Sequence, residues 1–253
     1  MQNPMFLPAI SVALYDRALK AAQQGQTCNV IMLCTASMEA FVNEYIELGS
    51  ELIAQKQKHD EDQRKRRLVL NNSFSFMQSA LYPIEIQLMN ALRVHEKDRD
   101  NIFMKINTIR KYCIGNEWKK DHSIYRDYCT LVKLRNALTH PRSRMIKYGD
   151  NYIPKFLLPF YQQKSLDYFN KINSRNSWVE AIDTIEFSKW CIGAFEKMMI
   201  LLLNDMYSFK LEDYPNIQLL TNKNAFDYFR FFNFPKELAV QTLSPPLRFD
   251  TPT

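Results

Sequence analysis

Residues 28–48 read CNVIMLCTASMEAFVNEYIEL. Ile31, Cys34, Met38, Phe41, Val42, Tyr45 and Leu48 recur in that stretch at intervals of three and four, the spacing that gathers side chains on one face of an α-helix. It predicts a long helix from Cys28 to about Gln57 with one strongly apolar face, which is stable only when other elements cover it; Thr27 is placed to cap it.

The same period recurs on both sides. Ile10, Val12, Tyr15, Ala18, Leu19 and Ala22 predict an opening helix over about 8–24 that ends near Gly25. Val179, Ile182, Ile185, Cys191, Phe195, Met198, Met199 and Leu202 predict a second long helix over Ser177–Tyr207, whose Met and aromatic stripe reads as core rather than as a cofactor box. Shorter helices are expected at about 84–95 and 99–113, and another from His122 to Thr139, where Pro141 stops it. The charged run 56–67, with Asp60–Asp62 and Arg64–Arg67, reads as a helix extension or a solvated connection and is given no functional role. From Pro141 to about residue 176 the periodicity breaks down, and MIKYGDNYI (Met145–Ile153) reads as a small hairpin around a Gly-Asp-Asn turn. Five glycines in 253 residues leave few places for tight turns. The expectation is an all-α domain over 1–207 with a loop insertion at about 141–176, followed by an aromatic and Pro-containing extension over 208–253.

Composition narrows the function classes. An odd number of cysteines (Cys28, Cys34, Cys113, Cys129, Cys191), mostly in apolar periodic segments and without a C-x-x-C pair, fits free thiols in a reducing compartment. The first ten residues lack a basic region followed by an apolar core, and no uncharged run is long enough to span a bilayer, so a cytoplasmic protein without membrane contact is expected. The net charge of +6 is local: Lys105–Lys147 holds eleven Lys and Arg against Glu117, Asp121 and Asp127, a balance of +8, which leaves −2 for the rest. A field of that kind attracts polyanions; a solvated helix face is the plainer explanation.

Gly-rich phosphate loops, the G-x-S-x-G elbow, H-E-x-x-H and His or Cys clusters with zinc spacing are all missing from the sequence, so no metal or cofactor is expected. His59, His95 and His122 read as surface residues, which leaves His140. On an ideal helix Ile124, Tyr128, Leu131, Arg135 and Leu138 share one stripe, with Arg135 in its midst. A guanidinium on a packing face needs an anionic partner, a bound phosphate or a wet cleft. His140 precedes Pro141, which drives its backbone out of the α region and frees its side chain from the helical wheel. The carbonyl end of a helix also favours a protonated imidazole, as acid–base work requires. Asn136, four residues earlier, is placed to orient the ring or to bind a phosphate oxygen, and Arg142, Arg144 and Lys147 extend the positive rim. The plainer account of these residues is a capped helix end, with Arg135 reaching a core carboxylate and His140 satisfied by the backbone.

LRNALTHPR (Leu134–Arg142) resembles the signature of the HEPN superfamily, an Arg followed by a polar residue and, after a short spacer, a His; here the spacer runs from Asn136 to Thr139. ASMEAFVNEYIE (Ala36–Glu47) is similar to the long first core helix of many HEPN-like proteins, with Glu39 and Asn43 flanking the apolar face. The resemblance covers roughly residues 8–207. It implies a helical bundle that dimerises so that two motifs face one another, and metal-independent endoribonuclease activity of the kind found in toxin–antitoxin and antiviral systems. Carried over, Arg135 holds the scissile phosphate, His140 is the acid or base in 2′-hydroxyl attack, Asn136 positions, and Glu39 and Asn43 support the cleft. RNA, a second copy of the chain and a regulatory protein are the implied partners. Two alternatives stand beside it: a non-catalytic HEPN-like module that binds RNA, a nucleotide or a protein, and a structural interaction protein that docks through the aromatic segment Phe226–Phe234.

Overall fold

The computed structural model describes residues 10–70, 83–140, 145–148, 151–162 and 178–207. Its helices run in the order α1 (Ile10–Gln23), α2 (Thr27–Leu70), α3 (Pro83–Lys97), α4 (Ile102–Ile114), α5 (Ser123–Thr139), α6 (Leu158–Gln162), α7 (Trp178–Ile182) and α8 (Ile185–Tyr207). Between α5 and α6 lie strands β1 (Met145–Tyr148) and β2 (Asn151–Pro154) and a 3-10 turn at Lys155–Leu157. The fold is an all-α helical bundle with one small antiparallel hairpin. Ile146 pairs with Ile153 and Tyr148 with Asn151, so Asn151, expected in the turn, is already in the strand. The extension 208–253, with Phe226–Phe234, lies outside the described residues.

Two of the expected helices have different bounds. α2 continues to Leu70 instead of stopping near Gln57 and reaches 44 residues, about 66 Å at 1.5 Å per residue. The charged run is therefore helical. Its Lys, Glu, Gln and Arg residues are good helix formers, and Lys56–Asp60 (2.6 Å) and Lys65–Glu61 (2.8 Å) are ion pairs one turn apart. The helix expected over Ser177–Tyr207 is interrupted at Asp183–Thr184. Thr184 caps α8 by accepting the Phe187 N–H at 3.0 Å. Thr27 opens α2, and its hydroxyl donates to the Thr184 carbonyl at 3.1 Å and meets the Ser188 hydroxyl at 2.8 Å, which ties α2 to α8.

The chain divides into two compact units. The first comprises the described residues of 9–40 and 118–203. Ile31, Cys34 and Met38 of α2, Tyr128 and Leu131 of α5, and Phe187, Cys191, Phe195 and Met198 of α8 are fully buried there; burying an aliphatic or aromatic side chain of this size contributes roughly 1.5–3 kcal/mol. Tyr15 of α1 stacks on Phe195 with ring centroids 5.3 Å apart and donates its hydroxyl to Glu196. The Ser37 hydroxyl donates to the Ser11 carbonyl at 2.7 Å and fixes α1 along α2.

The second unit comprises the described residues of 41–117 and 204–207. Phe41, Val42 and Tyr45 of α2, Leu88, Met89 and Leu92 of α3, and Ile106 and Ile109 of α4 form its core. Arg110 reaches both carboxylate oxygens of the buried Asp205 at 3.0 Å, attaching the end of α8 to α4. All five cysteines are free thiols, as their spacing implied. Among the described residues no helix is long and apolar enough to cross a membrane.

Candidate functional site

The C-terminal half of α5 positions the site. Tyr128 and Leu131 anchor this helix in the core of the first unit, and Arg135, one turn beyond Leu131, is the point where the apolar stripe ends. The sequence placed Arg135 amid an apolar stripe; in the structure its side chain keeps 32% of its surface exposed. Its guanidinium does not enter the core because a carboxylate stands at the edge: Nη2 lies 3.6 Å from Oε1 of Glu39 on α2. Nη1 donates to the side-chain carbonyl of Asn136 at 3.1 Å. Glu39, Arg135 and Asn136 are thus brought together, and the anionic partner that a guanidinium on a packing face requires is Glu39.

The helix end is built as Pro141 dictates. His140 is the C-cap, with φ −133° and ψ 83°, outside the α region. Its N–H donates to the Asn136 carbonyl at 2.9 Å, and the Thr139 hydroxyl donates to the Arg135 carbonyl at 3.0 Å. The His140 side chain is exposed and makes no hydrogen bond to a described residue. Asn136 does not orient the imidazole with its side chain, as the sequence suggested; its amide oxygen faces Arg135 and its backbone carbonyl holds the His140 N–H.

Tyr128, two turns before Arg135 on α5, was read from the sequence only as a member of the apolar stripe. It is fully buried. Burial, and after it the negative charge of Glu39, hold its hydroxyl well above the ordinary tyrosine range, with Arg135 opposing.

Asn43 belongs to the second unit. Its side-chain carbonyl accepts Lys105 Nζ at 3.4 Å, and Lys105 also pairs with Glu96. Arg142 and Arg144 lie outside the described residues, and so does the side chain of Lys147, whose backbone is in β1. The basic segment is less uniform than its charge count implies: Lys105, Arg110 and Arg135 face Glu96, Asp205 and Glu39, while Lys119, Lys120, Arg126 and Lys133 are exposed.

Burial raises all five thiols above the ordinary range, Cys28 to about 12 with Asp183 adding to the effect. Among the described residues no three His, Cys, Asp or Glu side chains are grouped so as to hold a metal ion. No protein-family model, curated protein or solved structure matches this chain. What the site can do is therefore a question for its own chemistry: a cation on an amide, a carboxylate beside it, and an exposed imidazole five residues on.

Proposed function

We propose that this chain is a metal-independent endoribonuclease of HEPN type, acting as a homodimer. The observation that carries the proposal is the half-exposed Arg135–Asn136 pair at the end of α5, followed by the exposed His140 at a proline-terminated helix end. Cleavage by 2′-hydroxyl attack forms a bond from the 2′-oxygen to phosphorus and breaks the bond to the 5′-oxygen. It needs positive charge on the phosphate, a group that takes the 2′ proton and a group that gives one to the leaving oxygen. Arg135 supplies the charge and Asn136 a hydrogen-bonding amide. His140 supplies one proton-transfer group per chain, so two chains facing one another supply the base and the acid. The products are a 2′,3′-cyclic phosphate and a 5′-hydroxyl. Glu39 occupies the guanidinium until a phosphate takes its place. An enzyme of this kind suits a cytoplasmic toxin or antiviral defence component restrained by a protein partner.

Incubating the purified protein with tRNA and total RNA in EDTA tests the proposal. It expects cleavage that disappears in His140→Ala; equal activity in that variant refutes it. One observation favours a second reading, a non-catalytic module that only binds RNA, a nucleotide or a protein: the Glu39–Arg135 pair satisfies the guanidinium without substrate. RNA binding lost in Arg135→Ala, with no cleavage at any pH, would select that reading.

A further inference from the structure

Within the second unit, three side chains at the α3–α4 connection form a relay that the proposed ribonuclease does not use. Nδ1 of His95 lies 2.7 Å from Oδ2 of Asp100, and Nε2 lies 2.7 Å from the hydroxyl of Thr108. In the neutral imidazole a carboxylate on Nδ1 favours the tautomer that carries its proton there, and Nε2 is then the acceptor for the hydroxyl. The chain hydroxyl–imidazole–carboxylate is the arrangement that activates a weak oxygen nucleophile.

The backbone holds this relay firmly. His95 is in the last turn of α3, where its carbonyl accepts the Asp100 N–H at 2.9 Å, so Asp100 is tied to His95 through both main chain and side chain. Thr108 is on α4, which packs against α3. Imidazole and carboxylate stay partly open to solvent, with 18% and 28% of their side-chain surfaces exposed. The flank is apolar: Met104, one turn before Thr108 on the same face of α4, is 45% exposed.

We propose that Thr108 is a nucleophile toward small apolar acyl esters, with His95 as general base and Asp100 as the residue that positions it. In the step, Thr108 Oγ1 forms a bond to the acyl carbon and its proton passes to His95 Nε2. The bond from the acyl carbon to the ester oxygen breaks, and the departing alcohol takes that proton. The product is an acyl-threonine, with Met104 alongside the acyl group.

The test is p-nitrophenyl acetate with the full chain, p-nitrophenolate release being followed at neutral pH and the acetylated peptides mapped by mass spectrometry. The expected result is an early burst of release and acetyl on the peptide that contains Thr108. Both are lost in Thr108→Val, which keeps the side-chain shape, and both are retained in Thr108→Ser. His95→Gln slows acylation by roughly a hundredfold or more, the range for losing a general base. Acetyl found only on lysines, or an unchanged burst in Thr108→Val, overturns the proposal. The outcome is independent of RNA cleavage, since neither Arg135 nor His140 takes part.

Discussion

Nη2 of Arg135 lies 3.6 Å from Oε1 of Glu39, and both side chains are about a third or more exposed. A pair of that exposure contributes little to stability, on the order of 0–1 kcal/mol. Its importance lies in the guanidinium, which Glu39 holds and which a phosphate must share or take over. Glu39→Gln is therefore expected to change the unfolding free energy by less than about 1 kcal/mol. The same change strengthens binding of single-stranded RNA roughly fivefold, the equivalent of about 1 kcal/mol. Denaturant titration and fluorescence anisotropy measure the two effects. Weaker RNA binding in Glu39→Gln would show that Glu39 orients Arg135 for the ligand rather than competing with it.

Arg99 occupies the left-handed region, with φ 56°, at the end of α3. Its N–H donates to Glu96 and the next N–H to His95, the closing pattern of a helix end that ordinarily takes glycine. Glycine removes the Cβ clash, worth roughly 1–2 kcal/mol, and returns part of that as chain entropy. Arg99→Gly is expected to stabilise the protein by about 0.5–1 kcal/mol, read as a higher denaturant midpoint with unchanged slope.

Gly49 on α2 faces Met89 on α3 so closely that a Cβ would come within 2.7 Å of the Met89 Cγ. Alanine in a helix interior ordinarily adds up to about 1 kcal/mol. Overpacking against the fully buried Met89 costs about 1–3 kcal/mol and prevails. A lower melting temperature for Gly49→Ala is expected; recovery in Gly49→Ala with Met89→Ala would identify the clash as the cause.

Asp205 is buried under Arg110, and burial outweighs the arginine, raising its carboxyl to about 6. The folded protein keeps this proton until about pH 6, while the unfolded chain releases it near pH 4. Between those values the folded state binds more protons, so this group's contribution to stability falls as pH rises from about 4 to about 6. Two units correspond to an upper bound of about 3 kcal/mol. Asp205→Asn should flatten the stability–pH curve in that window. Arg110→Met, which leaves the buried carboxylate alone, should destabilise by about 3–5 kcal/mol above pH 6 and less below it.

The parts of the fold legible in the sequence are those set by apolar period: the faces of α1, α2 and α8 and the stop of α5 at Pro141. What escaped was set by polar groups. The apolar spacing of α8 runs through Thr184, and only the hydroxyls of Thr184 and Thr27 show why the helix restarts there. The extension of α2 to Leu70 depends on charge pairs one turn apart rather than on a buried face. At the site, the spacing isolated Arg135 and its need for an anionic partner, a bound phosphate or a wet cleft. It did not show that Glu39 and Asn43, one turn apart on α2, contact different cations, Arg135 and Lys105 respectively. The relay of His95, Asp100 and Thr108 was invisible because Thr108 joins it only through the packing of α4 on α3.

The most direct measurement of the central claim uses an RNA oligonucleotide cut by the protein in EDTA, resynthesised with a single 2′-deoxy sugar on the 5′ side of the scissile phosphate. The account predicts that cleavage stops at that bond alone, and that the unmodified RNA yields 2′,3′-cyclic phosphate ends, neither product forming with His140→Ala. Cleavage that persists at the deoxy position, or 5′-phosphate ends, would contradict attack by the 2′-hydroxyl.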